Sequence, residues 1–352
     1  MSQVEAVIVA GGFGTRLLPL TARHPKHLLN VGGVPFLEHQ IVRLARLGVG
    51  HIVLATSYHA DRFQPVLGDG SRWGVSLDYV QELEPLGTGG AIRNVADVLG
   101  NDPGGAVVIL NGDILSGHDL RAQLADFDVA RQGREVDVSL HLVEVADARP
   151  FGSVPTDAHG RVLGFVEKSG TPVTNRVNAG CYIFRRRVVD TIPEGRVVSV
   201  ERETFPDLVE AGSLVMAFVD NAYWRDVGTP DALVAASKDL VLGVASSPAM
   251  ETGPADARLD ATAQVAPSAT VNGGSLVAER VRVGARALVS GTVLMADASV
   301  GADAVVVDSV VGPGASIGAR AELRAVAVGD EAQISPDGRL ENERVPCGGD
   351  AS

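Results

Sequence analysis

The sequence of 352 residues has few cysteines, few aromatic residues and little positive charge. Two cysteines, Cys181 and Cys347, are too few for a disulfide framework, so we expect a reducing, cytoplasmic setting. A net charge of −13 argues against a nucleic-acid partner and against an anionic membrane surface, since both need a basic face. No apolar run reaches the roughly 18 residues that span a bilayer, and the N-terminus lacks the basic stretch of a signal peptide.

Two kinds of pattern divide the chain. Up to residue 243, apolar runs such as AVIVA and AVVILNGD alternate with helix-like segments such as PFLEHQIVRLARLG. This alternation predicts an α/β catalytic domain over residues 1–243, with a Rossmann-like, mostly parallel sheet that binds ligands at the carboxyl ends of its strands. Residues 244–263 are rich in Ala, Ser, Pro and Gly, and we interpret them as a linker.

A six-residue period begins after this linker. Its first apolar positions are Val265, Val271, Val277, Val283, Val289 and Met295, and the phase later slips by one residue. Glycine follows the apolar position at 284, 301, 312, 318 and 329. The period predicts a hexapeptide-repeat, left-handed β-helix over residues 264–335, followed by a polar tail over 336–352. An irregular β domain rich in Ala, Val and Gly is the alternative.

The segment VIVAGGFGTRLLPLTARHPKHLL, residues 7–29, combines a glycine turn with two cations. The turn follows a strand-like run and contains Gly11, Gly12 and Gly14. Glycines at a strand end let backbone N–H groups approach an anion closely. Arg16 adds a planar phosphate-binding fork, and Lys26 adds a mobile point charge. The segment lacks the GK[ST] of a P-loop and the third glycine of a dinucleotide fingerprint. A tight turn with two surface cations is the alternative.

Further short segments carry candidate ligands. They are QELEPLGTGG (81–90), NGD (111–113), FVEK (165–168), NAG (178–180) and WRDVGT (224–229). Mg²⁺ binds through one or two carboxylates together with substrate phosphates, and aspartates at strand ends suit this role. Asp113 and Asp226 are therefore candidate metal ligands. An Asx turn at Asp113 and a solvated loop charge at Asp226 are the alternatives.

Taken together, these segments resemble a known family. GGxGTRLxPLT followed by PK, then EPLGTGG, NGD, VEK, NAG and WRDVGTP, is similar in order and spacing to the sugar-nucleotide pyrophosphorylases, which are nucleotidyltransferases. The resemblance covers nearly all of residues 1–240, and members of the family also carry a hexapeptide-repeat domain. The stretch SVERETFPDLVEAG further resembles the S-x-E-x-E-x-F-P segment of mannose-1-phosphate guanylyltransferases.

The resemblance implies a reaction. A guanylyl group would pass from GTP to a sugar 1-phosphate, with mannose 1-phosphate as the first candidate, giving a GDP-sugar and pyrophosphate. It also implies Mg²⁺ as cofactor and a homo-oligomer. Two alternatives are a cyclitol phosphate acceptor such as valienol 1-phosphate, and another nucleoside triphosphate acting with glucose 1-phosphate. A non-catalytic regulatory homologue is less favoured, because every charged catalytic position is filled.

The resemblance also assigns roles to single residues. The nucleotide phosphates would lie against Gly11, Gly12, Gly14 and Thr15, and the leaving pyrophosphate against Arg16. The reacting α-phosphate would be stabilised by Lys26, and the base would contact Gln81 and Gly87. Mg²⁺ would be held by Asp113 and Asp226. The sugar phosphate would be bound by Lys168, and the sugar hydroxyls by Gly152, Glu167 and Asn178.

Two features concern histidine. His27 stands where the family usually has proline, so the loop lacks the stiffness that proline would give it. All eight histidines lie at or before His159, so the repeat domain lacks the histidine base that an acetyltransferase would be expected to use. We therefore predict that the repeat domain is structural.

Overall fold

A computed structural model describes residues 4–57, 60–166, 170–250 and 253–349. The chain forms two compact units, of which the first comprises Met1–Gly12 and Gln40–Trp224. The second comprises Phe13–His39 and Arg225–Ser352. Within the described ranges, no helix is both long enough and apolar enough to cross a membrane.

Among the described residues up to 242, the structure has eleven strands and seven α-helices. In chain order they are β1 (Glu5–Ala10), β2 (Asn30–Val31), β3 (Val34–Pro35), α1 (Phe36–Leu47), β4 (His51–Thr56), α2 (Phe63–Leu67), β5 (Ser76–Gln81), α3 (Gly87–Asn94), β6 (Ala106–Asn111), β7 (Ile114–Ser116), α4 (Leu120–Phe127), β8 (Val138–Glu144), β9 (Arg176–Arg185), α5 (Arg186–Thr191), α6 (Phe205–Glu210), β10 (Val215–Val219), β11 (Trp224–Asp226) and α7 (Pro230–Leu242). Short 3₁₀ helices cover Thr15–Leu17, Lys26–Leu28, Ala60–Arg62, Ser71–Trp73 and Ala96–Val98, and a π-helical turn covers Val200–Thr204.

Seven strands of the first unit form one mixed sheet in the order β10–β8–β9–β6–β1–β4–β5. β1 pairs parallel with β4 and β6, and β5 is parallel to β4, whereas β9 is antiparallel to β6 and β8. The predicted α/β fold with a mostly parallel sheet is confirmed. Since β9 runs opposite to its neighbours, its first residues lie at the edge where β1, β4, β5 and β6 end, which is the edge that binds ligands in such sheets.

Apolar side chains explain why these elements pack. In α1, Leu37, Ile41 and Leu44 recur on one face and are fully buried, as their spacing predicts, and Gly48 ends the helix at φ 95°. In the first unit, Tyr182, Phe184 and Phe205 pack ring against ring within the core, with centroids 5.1–6.2 Å apart.

Short parallel strands fill the chain from residue 257 to residue 345. In chain order they are β12 (Ala257–Leu259), β13 (Gln264–Val265), β14 (Thr270–Asn272), β15 (Ser275–Val277), β16 (Arg282–Val283), β17 (Leu288–Ser290), β18 (Val293–Leu294), β19 (Ser299–Val300), β20 (Val305–Val307), β21 (Val310–Val311), β22 (Ser316–Ile317), β23 (Glu322–Arg324), β24 (Ala327–Val328), β25 (Gln333–Ile334), β26 (Arg339–Glu341) and β27 (Arg344–Val345). Every third strand joins the same sheet, so three parallel sheets form, consistent with the predicted left-handed β-helix. β12 lies in the predicted linker, and β26 and β27 lie in the predicted tail, so the repeat extends beyond both predicted limits.

The coil length explains the slip in the sequence period. Val277 pairs with Leu294, Leu294 with Val311 and Val311 with Val328, so these coils are 17 residues apart. The first coil takes 18 residues, since Val265 pairs with Val283. In a 17-residue coil, two sides use six residues and the third uses five. Consequently Leu294, not the predicted Met295, belongs to the inner core cluster.

The spaced glycines mark where coils come closest. A Cβ added at Gly301 would lie 2.6 Å from the backbone nitrogen of Ala319, and one at Gly284 would lie 2.7 Å from that of Ala302. Both distances are far below a normal contact, so only glycine fits at these corners. The pattern in the sequence therefore reflects steric contact with the next coil.

Buried hydroxyl groups also repeat along the β-helix, and we call them the hydroxyl ladder. Ser275 Oγ accepts a hydrogen bond from the backbone N–H of Thr292, at 3.1 Å. Thr292 Oγ1 accepts from Ser309 at 3.3 Å, and Ser309 Oγ accepts from Val326 at 3.0 Å. Each hydroxyl thus satisfies a backbone donor one coil further on, where an unmade bond would be costly.

Candidate active site

The segment 13–29, which we call the signature loop, belongs to the second unit and folds around Gly14. Gly14 has φ 64°, and a Cβ there would lie 3.0 Å from Thr21 and 3.1 Å from Cβ of Lys26. Thr21 Oγ1 donates a 2.8 Å hydrogen bond to the carbonyl of Gly14. Glycine therefore allows the two ends of the loop to approach each other, which brings Gly14 and Lys26 together.

Arg16 and Asp226 meet within the same unit. Arg16 Nη2 lies 3.6 Å from Asp226 Oδ2, and the Arg16 side chain is 63% exposed. A Cβ on Gly228 would lie 2.8 Å from both Arg16 Cζ and Asp226 Oδ1, so glycine makes room for the guanidinium. Asp226 ends β11, and Thr229 caps α7 by accepting from the N–H of Ala232. In the WRDVGTP segment, a strand therefore ends at Asp226, Gly228 leaves space for the Arg16 guanidinium, and a helix begins at Pro230.

The remaining predicted residues of the loop differ in exposure. Thr15 is exposed within a 3₁₀ turn, as an anion-contacting residue needs to be. His27, the departure from the family pattern, is buried in the second 3₁₀ turn of the loop, with 2% of its surface exposed. Its side chain is therefore not presented to solvent.

In the first unit, a carboxylate lies beside the glycine turn after β1. A Cβ added at Gly11 would lie 3.3 Å from Glu82 Oε2 and 3.4 Å from Ser57 Oγ. Glu82 is 6% exposed, and its Oε1 has no hydrogen-bond partner among the described residues. Burial raises the pKa of Glu82 above its ordinary value, and a hydrogen bond from the Leu86 backbone opposes that rise. Glu82 follows β5 directly, so it lies at the ligand-binding edge of the sheet.

The second glycine loop, at the start of α3, is held against the segment that precedes α6. Gly87 has φ 72°, and a Cβ on it would lie 2.6 Å from the carbonyl oxygen of Val198. The N–H of Gly89 donates to that same carbonyl at 2.8 Å. The EPLGTGG motif therefore needs glycine because another backbone passes directly over it.

A chain of hydrogen bonds continues from this loop to the NAG segment. Thr88 Oγ1 donates to Glu201 Oε2 at 3.0 Å, and Tyr182 donates its hydroxyl proton to Glu201 Oε1 at 3.2 Å. Asn178 Nδ2 donates to the Tyr182 hydroxyl oxygen at 2.8 Å. Burial and the Glu201 carboxylate raise the pKa of Tyr182 well above its ordinary value, so this hydroxyl stays protonated. The structure thus links the predicted base-contacting loop to the predicted sugar-contacting Asn178.

Two other predicted residues of the first unit, Gln81 and Asp113, lie at the same edge of the sheet. Gln81 is the exposed last residue of β5, and Asp113 is half-buried just after β6. Gly152 has φ 75°, a conformation that favours glycine. The remaining two, Glu167 and Lys168, lie outside the described residues.

Comparison with known proteins decides the family. A nucleotidyl transferase family model matches residues 5–241, and a model of the GMPPB C-terminal domain matches residues 255–347. The chain belongs to the nucleotidyl transferase family. A mannose-1-phosphate guanylyltransferase from Mycobacterium tuberculosis is 47% identical, over 83% of this chain and 80% of that protein. One from Saccharomyces cerevisiae is 37% identical over 64% of this chain and 62% of the yeast protein.

A solved structure also resembles this nucleotidyl transferase. HddC from Yersinia pseudotuberculosis, complexed with GMP-PN, has a TM-score of 0.57 and 30% identity, and the match covers 68% of this chain and 99% of that one. The predicted recognition of a sugar-nucleotide pyrophosphorylase type of nucleotidyltransferase is confirmed.

Enzymes of the nucleotidyl transferase family use a divalent metal ion, and the carboxylates present fit one. Within the described part of the chain, no three His, Cys, Asp or Glu side chains cluster as a complete protein-only metal site. Mg²⁺ does not require such a cage, since one or two carboxylates suffice when substrate phosphates complete its shell. Asp226 suits this role because its side chain is 28% exposed and therefore accessible.

Motif reasoning missed several polar residues of this nucleotidyl transferase. Glu82 and Thr88 lie within QELEPLGTGG and Tyr182 lies two residues after NAG, but the motifs assign none of them a role. Glu201 is one of the two glutamates of the S-x-E-x-E-x-F-P pattern, and their spacing is the signal that points to it. Glu201 and Glu203 lie two residues apart within the π-helical turn. Glu201 accepts hydrogen bonds from Thr88 and Tyr182, whereas Glu203 accepts from the N–H of Ser199 at 3.0 Å.

Proposed function

We propose that this protein transfers a guanylyl group from GTP to mannose 1-phosphate, giving GDP-mannose and pyrophosphate. The names of its relatives support this reaction, and the observation that carries the choice of base is the Glu82 carboxylate beside Gly11. The predicted cytoplasmic setting and homo-oligomer belong to the same proposal.

Guanine suits this carboxylate. Its ring N1–H and exocyclic amine lie side by side, and an ionised carboxylate accepts from both at once. Glu82 has a buried Oε1 that no described group satisfies, so a bound guanine would supply the missing donor. Adenine has no N–H at the equivalent ring nitrogen, and it would leave the carboxylate without that bond. A buried acceptor left without its bond is what produces strong discrimination between bases.

The reaction is mainly an electrostatic problem. A sugar phosphate dianion must approach a triphosphate, and two unit charges about 5 Å apart repel by roughly 3 kcal/mol at an effective dielectric of about 20. Arg16 would bind the leaving pyrophosphate, since its exposed guanidinium can turn from Asp226 to a phosphate. Lys26, beside Gly14, would stabilise the charge at the α-phosphate. Gly12 and Thr15 would line the phosphates.

Metal and sugar complete the proposed site. Mg²⁺ held by Asp113 and Asp226 would screen the phosphate charges when it is bound. Asn178, oriented through the Tyr182–Glu201 bonds, would contact sugar hydroxyls together with Gly152, Glu167 and Lys168. A fixed orientation matters because hydroxyl stereochemistry is read by directional hydrogen bonds.

Pyrophosphate release tests the function directly. The assay would combine GTP, ATP, UTP and dTTP with mannose 1-phosphate, glucose 1-phosphate and valienol 1-phosphate, each with Mg²⁺. We expect GTP with mannose 1-phosphate to give the highest kcat/KM. Turnover of another triphosphate with glucose 1-phosphate, without turnover of GTP, would leave only the family assignment standing.

Glu82→Gln tests the role of the carboxylate. The amide can accept one guanine N–H but opposes the second with its own NH₂ group, so we expect kcat/KM for GTP to fall about tenfold to hundredfold. The exposed Glu210 at the end of α6 provides the matched control, and Glu210→Gln should leave kcat/KM near the parent value. Equal losses in the two variants would remove Glu82 from the base site.

A further inference from the structure

The middle of the signature loop is bound to the last coil of the β-helix, residues 328–348, which we call the C-terminal coil. Arg23 Nη1 lies 3.2 Å from Glu331 Oε2, and Arg23 Nη2 donates to the carbonyl of Gly348 at 2.9 Å. His24 Nε2 lies 2.8 Å from Asp330 Oδ2. All of these residues belong to the second unit.

The C-terminal coil also binds the loop backbone. Arg344 Nη1 donates to the carbonyl of Leu18 at 3.1 Å, and Cys347 Sγ lies 3.7 Å from the carbonyl oxygen of Pro19. Cys347 is only 5% exposed, so this contact is covered from solvent. The contacts therefore fall between Arg16 and Lys26, the two cations that the proposed reaction needs.

The carboxylate of Asp330 is specific to this coil. The 17-residue spacing places Pro313 and Ala296 at the equivalent positions of the two preceding coils, so stacking of the coils does not require an acid here. The Asp330 side chain is 6% exposed, and its Oδ1 has no hydrogen-bond partner among the described residues. A buried carboxylate is costly unless it is paired, and His24 of the signature loop supplies the partner.

We propose that the C-terminal coil positions the signature loop for nucleotidyl transfer, with Arg23, His24 and Asp330 as positioning residues. This role rests on the proposed function, because it assumes that Arg16 and Lys26 act on the phosphates. The Arg16 side chain is mostly exposed, so few packing contacts hold it in place. The contacts between the middle of the signature loop and the C-terminal coil therefore limit where the two ends of the loop, with Arg16 and Lys26, can lie. A displacement of about 1 Å at a reacting group can lower the rate about 10²-fold, so docking of this kind acts on kcat.

The test compares full-length variants. Arg23→Ala and Asp330→Ala remove the contacts from either side, whereas Asp330→Asn keeps an oxygen that can accept from His24. Arg320→Ala is the matched control, since it breaks an arginine–aspartate pair of the β-helix, with Asp337 at 2.7 Å, that does not involve the loop. kcat and KM for both substrates are measured, together with hydrogen exchange of peptides covering residues 13–29.

We expect both alanine variants to lose about tenfold or more in kcat with KM changed less than about twofold, and to exchange faster over residues 13–29. Asp330→Asn should recover most of the rate, and Arg320→Ala should match the parent in both measurements. Parent-like kcat and exchange in the two alanine variants would overturn the proposal. If the parent itself does not turn over GTP, the proposed function fails, and unchanged exchange in the variants would then refute the docking separately.

Discussion

The mixed sheet of the first unit and the β-helix of the second both bury polar groups, but they satisfy them in different ways. In the sheet unit, each buried polar group has its own set of hydrogen-bond partners. Glu5 accepts from the N–H groups of Gly100 and Asn101 at 3.1 and 2.8 Å, and it lies 2.6 Å from His51 Nδ1. In the β-helix, by contrast, one arrangement recurs in the hydroxyl ladder, always 17 residues further on.

This difference has a physical consequence. In a repeat each coil contacts only its neighbours, so stability depends on shape and on local stacking. In the sheet unit, contacts join segments that are distant in sequence, such as Thr88 and Glu201, 113 residues apart. Charged and titratable groups can therefore converge there. We expect substitutions among the stacked coils of the β-helix, away from the docked signature loop, to change stability, and substitutions at converging charges to change catalysis or pH dependence.

The largest expected contrast is between two lysines. Lys26→Ala removes the proposed charge at the α-phosphate, and we expect kcat to fall roughly 10²–10³-fold with an unchanged unfolding midpoint. Lys238 of α7 pairs with Asp308 of the β-helix at 3.1 Å, and Lys238→Ala provides the control. Steady-state kinetics and thermal unfolding of both variants measure the contrast. A similar small effect in both would contradict the assigned role of Lys26.

The next effect concerns pH and the buried histidines of the sheet unit. His118 and His141 stack with ring centroids 3.8 Å apart. Burial is the main cause that lowers the pKa of His118 to about 2 and that of His141 to about 4. Unfolded histidine has a pKa near 6.5. Below that value the unfolded chain binds protons that the folded chain does not, so stability present above pH 6.5 is lost as the pH falls.

For each of these histidines, the free energy of unfolding should fall by about 1.4 kcal/mol for every pH unit below about 6, until the pH reaches the folded pKa of that histidine. Denaturant titrations at pH 7 and pH 5 measure the change. Arg43 at 3.0 Å from His118 Nδ1 reinforces the neutral state of that ring, whereas the Asp220 backbone and carboxylate act in the opposite direction on His141. A free energy of unfolding that is equal at both pH values would refute the expectation.

The smallest effect tests the coil corners. Gly301→Ala places a Cβ 2.6 Å from the Ala319 nitrogen, and we expect overpacking to cost about 1–3 kcal/mol of stability with kcat preserved. Gly253→Ala is the control, because nothing lies within 4 Å of its added Cβ. Chemical denaturation of both variants measures the difference. An unchanged stability of Gly301→Ala would mean that the coils can separate at this corner without cost.

The two regions also differ in how far sequence predicts them. The apolar period and the spaced glycines predict the β-helix because each coil repeats one local rule. The period places its limits less well: β12, β26 and β27 lie outside the predicted range, and none of their residues is fully buried, unlike the inward-facing residues of the inner coils. The α/β sheet follows from alternating elements, and its antiparallel strand β9 has no signal of its own in the apolar pattern.

The sequence by itself determined the family, the glycine turns and the charged residues that the chemistry needs, because these lie in short contiguous motifs. Tertiary structure alone decided which distant groups meet. Glu82 beside Gly11, Tyr182 against Glu201, and His24 on Asp330, 306 residues away, follow from no spacing in the chain. The physical reason is that periodicity and turn chemistry act over a few residues, whereas a partner for a buried carboxylate is set by how packed elements bring remote segments together.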